Sequence, residues 1–301
     1  MPLAGELSTY PSGSFSYPYF TSGDLKSTRC VAFIGGLTAG LGSVPYTGRL
    51  SDALGREGWK LVQFHWGGAY DGYEHGSLEH DARDMDNLAR HLASEGISDL
   101  VWMGNSTGCQ DIAHFLSSRS PLNPIVKGGI LQAPVSDREG LEHNDDIRKP
   151  IPREDAERIL GALDMAKERI REGKGEEIWR GSGGRFTYHR LFALHGKGGD
   201  DDYFSSDLPS APADSNIHAH PLSTSFGRFT VPTLALWSEL DEYAWSGVDE
   251  PSERMQRWAE ACPASAPLSW AVIKGADHEV TKEAAQDTMN REVLKWLKGL
   301  R

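Results

Sequence analysis

Cysteine is scarce in this chain. The 301 residues hold three, Cys30, Cys109 and Cys262, far apart and without a CxxC pair. That excludes a disulfide framework and a cysteine-rich zinc site. Cys30 and Cys109 lie in apolar stretches and read as small buried hydrophobes. Long hydrophobic runs are missing as well. No segment approaches the ~18 consecutive apolar residues of a membrane helix. The first twenty residues, MPLAGELSTYPSGSFSYPYF, show no basic stretch leading into an apolar one. A secretory signal and a membrane partner are therefore not expected, and the expected location is cytoplasmic. Cations are in the minority: 31 Lys and Arg face 43 Asp and Glu, a formal net charge of −12. Phosphate binding needs clustered cations, so no nucleic-acid partner is expected. What is present is 39% apolar residues, enough for a large core, at a mean hydropathy of −0.47.

Short β-branched apolar runs alternate with longer amphipathic ones. Arg29–Ile34, Lys60–Phe64, Asp99–Met103, Val126–Leu131, Val231–Trp237 and Leu268–Ile273 read as strands. Pro45–Glu57, Ser77–Ser94, Cys109–Ser117, Pro251–Ala261 and Thr281–Leu300 read as helices, with Ser77 as a cap. Such alternation implies βαβ units, a mostly parallel sheet and helices on both faces: an α/β fold. The rhythm breaks over residues 136–228, which are charged and rich in Gly and Pro. One clear helix, Arg153–Glu172, lies inside. The expected organisation is a core of residues 1–135 and 229–301 with a cap or lid inserted at 136–228.

The strand ending at Met103 runs into Gly104-Asn105-Ser106-Thr107-Gly108, a G-x-S-x-G between a strand and a helix. In that setting the serine sits on a sharp, strained turn, and side chains two positions away would clash. Ser106 is the candidate nucleophile, with a plain glycine turn as the alternative. The negative oxygen of a tetrahedral intermediate needs donors. Candidates are the backbone N–H groups of Thr107 and of Leu37, the latter in the glycine-rich loop Gly35–Gly40 after the first predicted strand. An ordinary strand-to-helix turn is the alternative for that loop.

A serine nucleophile of this type is followed in the chain by an acid and then a histidine. Asp241, a few residues past the strand Val231–Trp237, is the candidate acid, with Glu239 and Glu242 as fallbacks. His278, in a glycine-containing loop after Leu268–Ile273, is the candidate base; it would take the Ser106 proton and return it to the leaving group. Asp277 is adjacent to it and would point away from the ring. Trp66, Tyr70, Tyr73, Tyr243 and Trp245 lie in loops leaving strand C-terminal ends, where ligands bind in this architecture. They are candidate substrate-binding residues, with loop packing as the alternative. Asp200-Asp201-Asp202 suits a metal, a cationic amine or a structural cap. His218-x-His220 lacks an evident third ligand, so no metal and no cofactor is expected.

Several stretches together resemble a known family. They are Phe33–Tyr46 (FIGGLTAGLGSVPY), Gly76–Asp81 (GSLEHD), Gly104–Asp111 (GNSTGCQD), Ala133–Glu139 (APVSDRE), Gly198–Leu208 (GGDDDYFSSDL) and Ser238–Tyr243 (SELDEY). The chain resembles the fungal α/β-hydrolase family that includes the fusarinine-type siderophore esterases. The resemblance implies an α/β-hydrolase fold with an inserted cap and a triad of Ser106, Asp241 and His278. It also implies hydrolysis of ester bonds in ferric hydroxamate siderophores, a small-molecule ester substrate whose cleavage releases iron. Two other readings stay open: an esterase, thioesterase or acyltransferase for another bulky ester, and a non-catalytic ligand-binding module of the same fold.

Overall fold

The computed structural model describes residues 3–300 apart from 120, 182–184, 214–216, 246 and 248. Strands β1 (Glu6–Ser12) and β2 (Phe15–Gly23) form a hairpin. They are followed by β3 (Arg29–Ile34), β4 (Lys60–Phe64), β5 (Asp99–Asn105), β6 (Val126–Gln132), β7 (Thr233–Ser238) and β8 (Leu268–Ile273). The sheet order is β1-β2-β4-β3-β5-β6-β7-β8. Strands β3 to β8 are mutually parallel, and β2 is antiparallel to both of its neighbours. This is an α/β-hydrolase sheet, and its parallel part follows from the alternating apolar runs. The hairpin is not among the expected elements. Its signal is Phe15, Tyr17 and Tyr19 at period two just after Gly13, which turns the chain at φ +58°.

The helices are α1 (Thr47–Arg56), α2 (Leu78–Ser94), α3 (Gly108–Ser118), α4 (Asp137–Glu142), α5 (Arg153–Arg171), α6 (Tyr188–His195), α7 (Pro251–Ala261) and α8 (Glu283–Gly299). Ser77 caps α2, its hydroxyl accepting from His80 N–H at 3.2 Å. Strand β5, which leads into α3, is apolar through its middle: Leu100, Val101, Trp102 and Met103 are buried, as expected of a central parallel strand covered on both faces. Among the described residues, no helix is long and apolar enough to cross a membrane.

The long connection from β6 to β7 behaves as two parts. Its first part carries α4, α5 and α6 and has its own apolar cluster, including Ile159, Ala166, Trp179, Phe186 and Leu191. Its second part packs into the main core through Tyr203, Phe204, Leu222, Phe226 and Phe229. Helices α4 and α6, six and eight residues long, are additions to the single helix expected there; pieces so short carry too few turns to show a periodic stripe.

Candidate active site

Ser106 stands between β5 and α3 with φ +55°. A non-glycine residue in that region is strained by about 1–3 kcal/mol and persists only where its surroundings enforce it. Here they do. Ser106 N–H donates to the Gln132 carbonyl at 3.0 Å, and Cys109 N–H donates to the Ser106 carbonyl at 2.8 Å. The turn is also too tight for side chains on either side: a Cβ on Gly104 would stand 2.3 Å from the Gly108 carbonyl oxygen. Across from it, a Cβ on Gly36 would stand 2.6 Å from Ser106 Cβ, so glycine lets the β3 loop touch the serine. Neither Leu37 N–H in that loop nor Thr107 N–H at the start of α3 donates to a partner among the described residues. Two free backbone donors beside a strained serine can stabilise a developing oxyanion.

The loops after β7 and β8 are stitched together. Glu239 N–H donates to the Ile273 carbonyl at 3.2 Å and Leu240 N–H to the Ala276 carbonyl at 2.8 Å. That brings Asp241 to His278, whose Nδ1 lies 2.8 Å from Asp241 Oδ2 and 3.0 Å from Oδ1. Both side chains are buried. Burial opposes charge on His278, but the Asp241 carboxylate and its hydrogen bond, with Glu242 and Asp137 adding, outweigh it, so the imidazole is held above its ordinary range. The fallback acids have other partners. Glu242 accepts from His278 N–H at 2.9 Å, and Glu239 accepts from Gly275 N–H at 2.8 Å. Asp277 turns away to bind Thr281 N–H at 2.6 Å. Ser106 Oγ makes no hydrogen bond to His278 among the described residues; such bonds are commonly loose before substrate arrives.

Ser106 and His278 open into a cavity of about 390 Å³. Its walls combine apolar groups (Leu37, Val135, Leu141, Ile147, Ile151) with Asp137, Lys149 and His195. Of the five candidate substrate-binding residues, Tyr243 lines this cavity. Its ring stands edge-on to His278 at 4.8 Å, with the Lys149 ammonium 5.1 Å from its centroid. Trp66 is buried in the main core against Phe64, behind the loop after β3. Tyr70 stacks on His65 and closes against Gly40. Trp245 stacks on His143 at 3.5 Å. The large aromatic bodies of these three are used in packing, off the cavity wall. Tyr73 packs against the cluster of the first part of the β6–β7 connection.

Two cavity groups were not anticipated. Asp137 accepts from Gln110 Nε2 at 2.8 Å. Burial and the nearby Asp201 push its carboxyl up to about 7, against Arg190 and His278. His195 is pushed down to about 4 by burial and by Arg190. Asp137 lies in the resembling stretch Ala133–Glu139 but carries no catalytic pattern of its own, and His195 is brought in from far along the β6–β7 connection.

The acidic triplet is structural in this arrangement. Asp201 takes a two-pronged contact from Arg190 Nη1 at 2.8 and 2.7 Å, and Asp202 accepts from Arg138 Nε at 2.8 Å. Asp200 offers its carbonyl to His220 Nε2 at 2.7 Å. No group of three or more acidic, histidine or cysteine side chains able to hold a metal occurs among the described residues. Asp81, Asp111, Asp201 and Arg190 line a small pocket behind the loop after β3. Burial holds the Asp81 and Asp111 carboxyls above the usual range, with neighbouring acids adding to it.

A family model described as a protein of unknown function (DUF1749) matches residues 1–298. A UPF0613 protein of Schizosaccharomyces pombe is 30% identical over 281 residues, 88% of this chain and 83% of that protein. A fusarinine C esterase of Aspergillus fumigatus is 28% identical over 163 residues, 46% of each chain. The solved structure of a siderophore hydrolase from Aspergillus fumigatus superposes with a TM-score of 0.78 at 22% identity, covering 99% of this chain and 98% of that one. That likeness speaks for the α/β-hydrolase fold. The match over nearly the whole length places this chain in the DUF1749 family.

Proposed function

We propose that this protein is a serine esterase in which Ser106 is the nucleophile, His278 the base and Asp241 the acid that orients it. The observation that carries the reading is the strained Ser106 sharing one cavity with a buried histidine held by a carboxylate. Ser106 Oγ attacks the ester carbonyl carbon while His278 Nε2 takes its proton. The oxyanion is met by Leu37 N–H and Thr107 N–H. Collapse of the tetrahedral species expels the alcohol, which receives the proton from His278, and leaves an acyl-enzyme. Water, activated by the same histidine, then releases the acid and restores Ser106.

Residues 136–228 act in this reading as a cap, since Gly140, Leu141 and Ile151 roof the cavity. At about 390 Å³ the cavity is at the small end for drug-sized ligands. It suits one ester arm of a bulky molecule whose remainder stays at the mouth beside Lys149. Esters of ferric hydroxamate siderophores of the fusarinine type are the first class to try, because a family relative bears that activity in its name. The iron complex would be substrate, and its hydrolysis would release iron. The test is hydrolysis of ferric fusarinine C and its triacetyl form, read by mass spectrometry, with wild type and Ser106→Ala side by side. Linear products from wild type alone support the whole reading. Turnover of short p-nitrophenyl esters without siderophore cleavage would keep the chemistry and reject the substrate.

A further inference from the structure

We propose that Gln132 is a positioning residue for this triad, fixing the backbone of His278 against the nucleophile turn. The proposal rests on the esterase reading and deepens it. Gln132 ends β6 and is wholly buried. Its main-chain carbonyl accepts from Ser106 N–H at 3.0 Å. Its side-chain oxygen accepts from Tyr46 OH at 2.9 Å and from Asn105 Nδ2 at 2.7 Å. Its side-chain nitrogen donates to the His278 carbonyl at 3.1 Å and to Ser238 Oγ at 3.3 Å. Every donor and acceptor of the amide is therefore used.

The partners are not a random set. Asn105 precedes the nucleophile, Ser238 ends the strand that delivers Asp241, and the last is the base itself. One residue thus holds the nucleophile through its main chain and the base through its side chain. The clamp has a counterpart: Glu242 accepts the N–H of the same His278. With Asp241 on Nδ1, His278 is gripped at its N–H, its carbonyl and its ring. Packing alone does not ask for an amide here, since the preceding β6 residues Ile130 and Leu131 are buried aliphatics. Satisfying Tyr46 and Asn105 needs only an acceptor, which leaves the donating half of the amide to the acid strand and the base loop. A loss of about 1 Å in placement costs on the order of 100-fold in rate.

Two variants separate this role from mere stability. Gln132→Glu keeps the shape and both accepted bonds but faces the His278 carbonyl with an oxygen. Gln132→Met keeps the length and removes all four bonds. We would measure kcat and KM on a p-nitrophenyl ester, the rate of fluorophosphonate labelling, and the melting temperature. The expected result is kcat and labelling both slower by about 10–100-fold with KM within about 3-fold. A lower melting temperature with wild-type kcat and labelling in either folded variant would overturn the proposal. Should the core variants not fold, Glu242→Ala releases the opposite clamp from a partly exposed position. A kcat lowered about 3–10-fold is expected there, and an unchanged kcat would overturn the proposal as well. Full activity in Ser106→Ala is a different outcome: it would remove the esterase reading and this proposal with it.

Discussion

The floor and the roof of the cavity are built by different physics. The floor consists of the loops after β3, β5, β7 and β8, and main-chain geometry makes it. A strained turn, close approaches at glycine and hydrogen bonds between neighbouring loops place Ser106, Asp241 and His278. The roof, from the β6–β7 connection, is tied down by ion pairs around buried arginines. Arg190 meets Asp201, Arg138 meets Asp202 and Asp207, and Arg254 meets Glu139 from the core helix α7. The floor's chemistry depends on fractions of an ångström, whereas the roof's shape depends on charges staying paired. Changes to the floor should therefore lower rate without melting the protein, and changes to the roof should do the reverse.

The largest expected effect is at the floor. Ser106→Ala should lower kcat/KM for any ester by about 10⁴-fold or more, with an unchanged melting temperature. Asp241→Asn should follow at about 10³–10⁴-fold, since it presents an amide to His278 Nδ1 and fixes the wrong tautomer. At the roof, Arg190→Met leaves Asp201 buried and unpaired; a loss of about 3–5 kcal/mol in stability is expected by denaturant titration. Adding Asp201→Asn should recover much of it, because the stranded charge is then gone. If Arg190→Met instead leaves stability intact and abolishes turnover, the division between floor and roof is wrong.

The smallest effect concerns pH. His278 must be neutral to act, and its pKa is raised. Activity is therefore lost as pH falls through a midpoint above the ordinary histidine value of about 6.5. Glu242→Gln removes one of the charges that raise it, so the acid limb of kcat/KM should move to lower pH. A limb that stays in place, or moves up, would show that Glu242 does not contribute through its charge.

The same contrast explains what could be read in the sequence. The bounds of β3, β4 and β8 coincide with apolar runs, and G-x-S-x-G marks Ser106 because turn geometry is local. Asp241 is the candidate acid by chain order, and the alternatives Glu239 and Glu242 differ from it only in which way a loop turns, which no pattern records. Asp137, His195 and Gln132 are invisible in sequence for a related reason: each matters through partners tens of residues away. Gln132 looks like the polar end of a strand until Tyr46, Asn105, Ser238 and His278 are seen around it. Trp66, Tyr70 and Trp245 show the opposite limit. Aromatic residues at strand C-terminal ends suggest a pocket, but packing claims their area first.

Everything proposed for this site depends on Ser106 being a nucleophile poised by Asp241 and His278. The most direct measurement is fluorophosphonate labelling of the intact protein, with the adduct mapped by peptide mass spectrometry. One adduct is expected, on Ser106, formed at least about 100-fold more slowly in His278→Ala. No adduct, an adduct on another residue, or labelling of Ser106 that does not depend on His278 would contradict it.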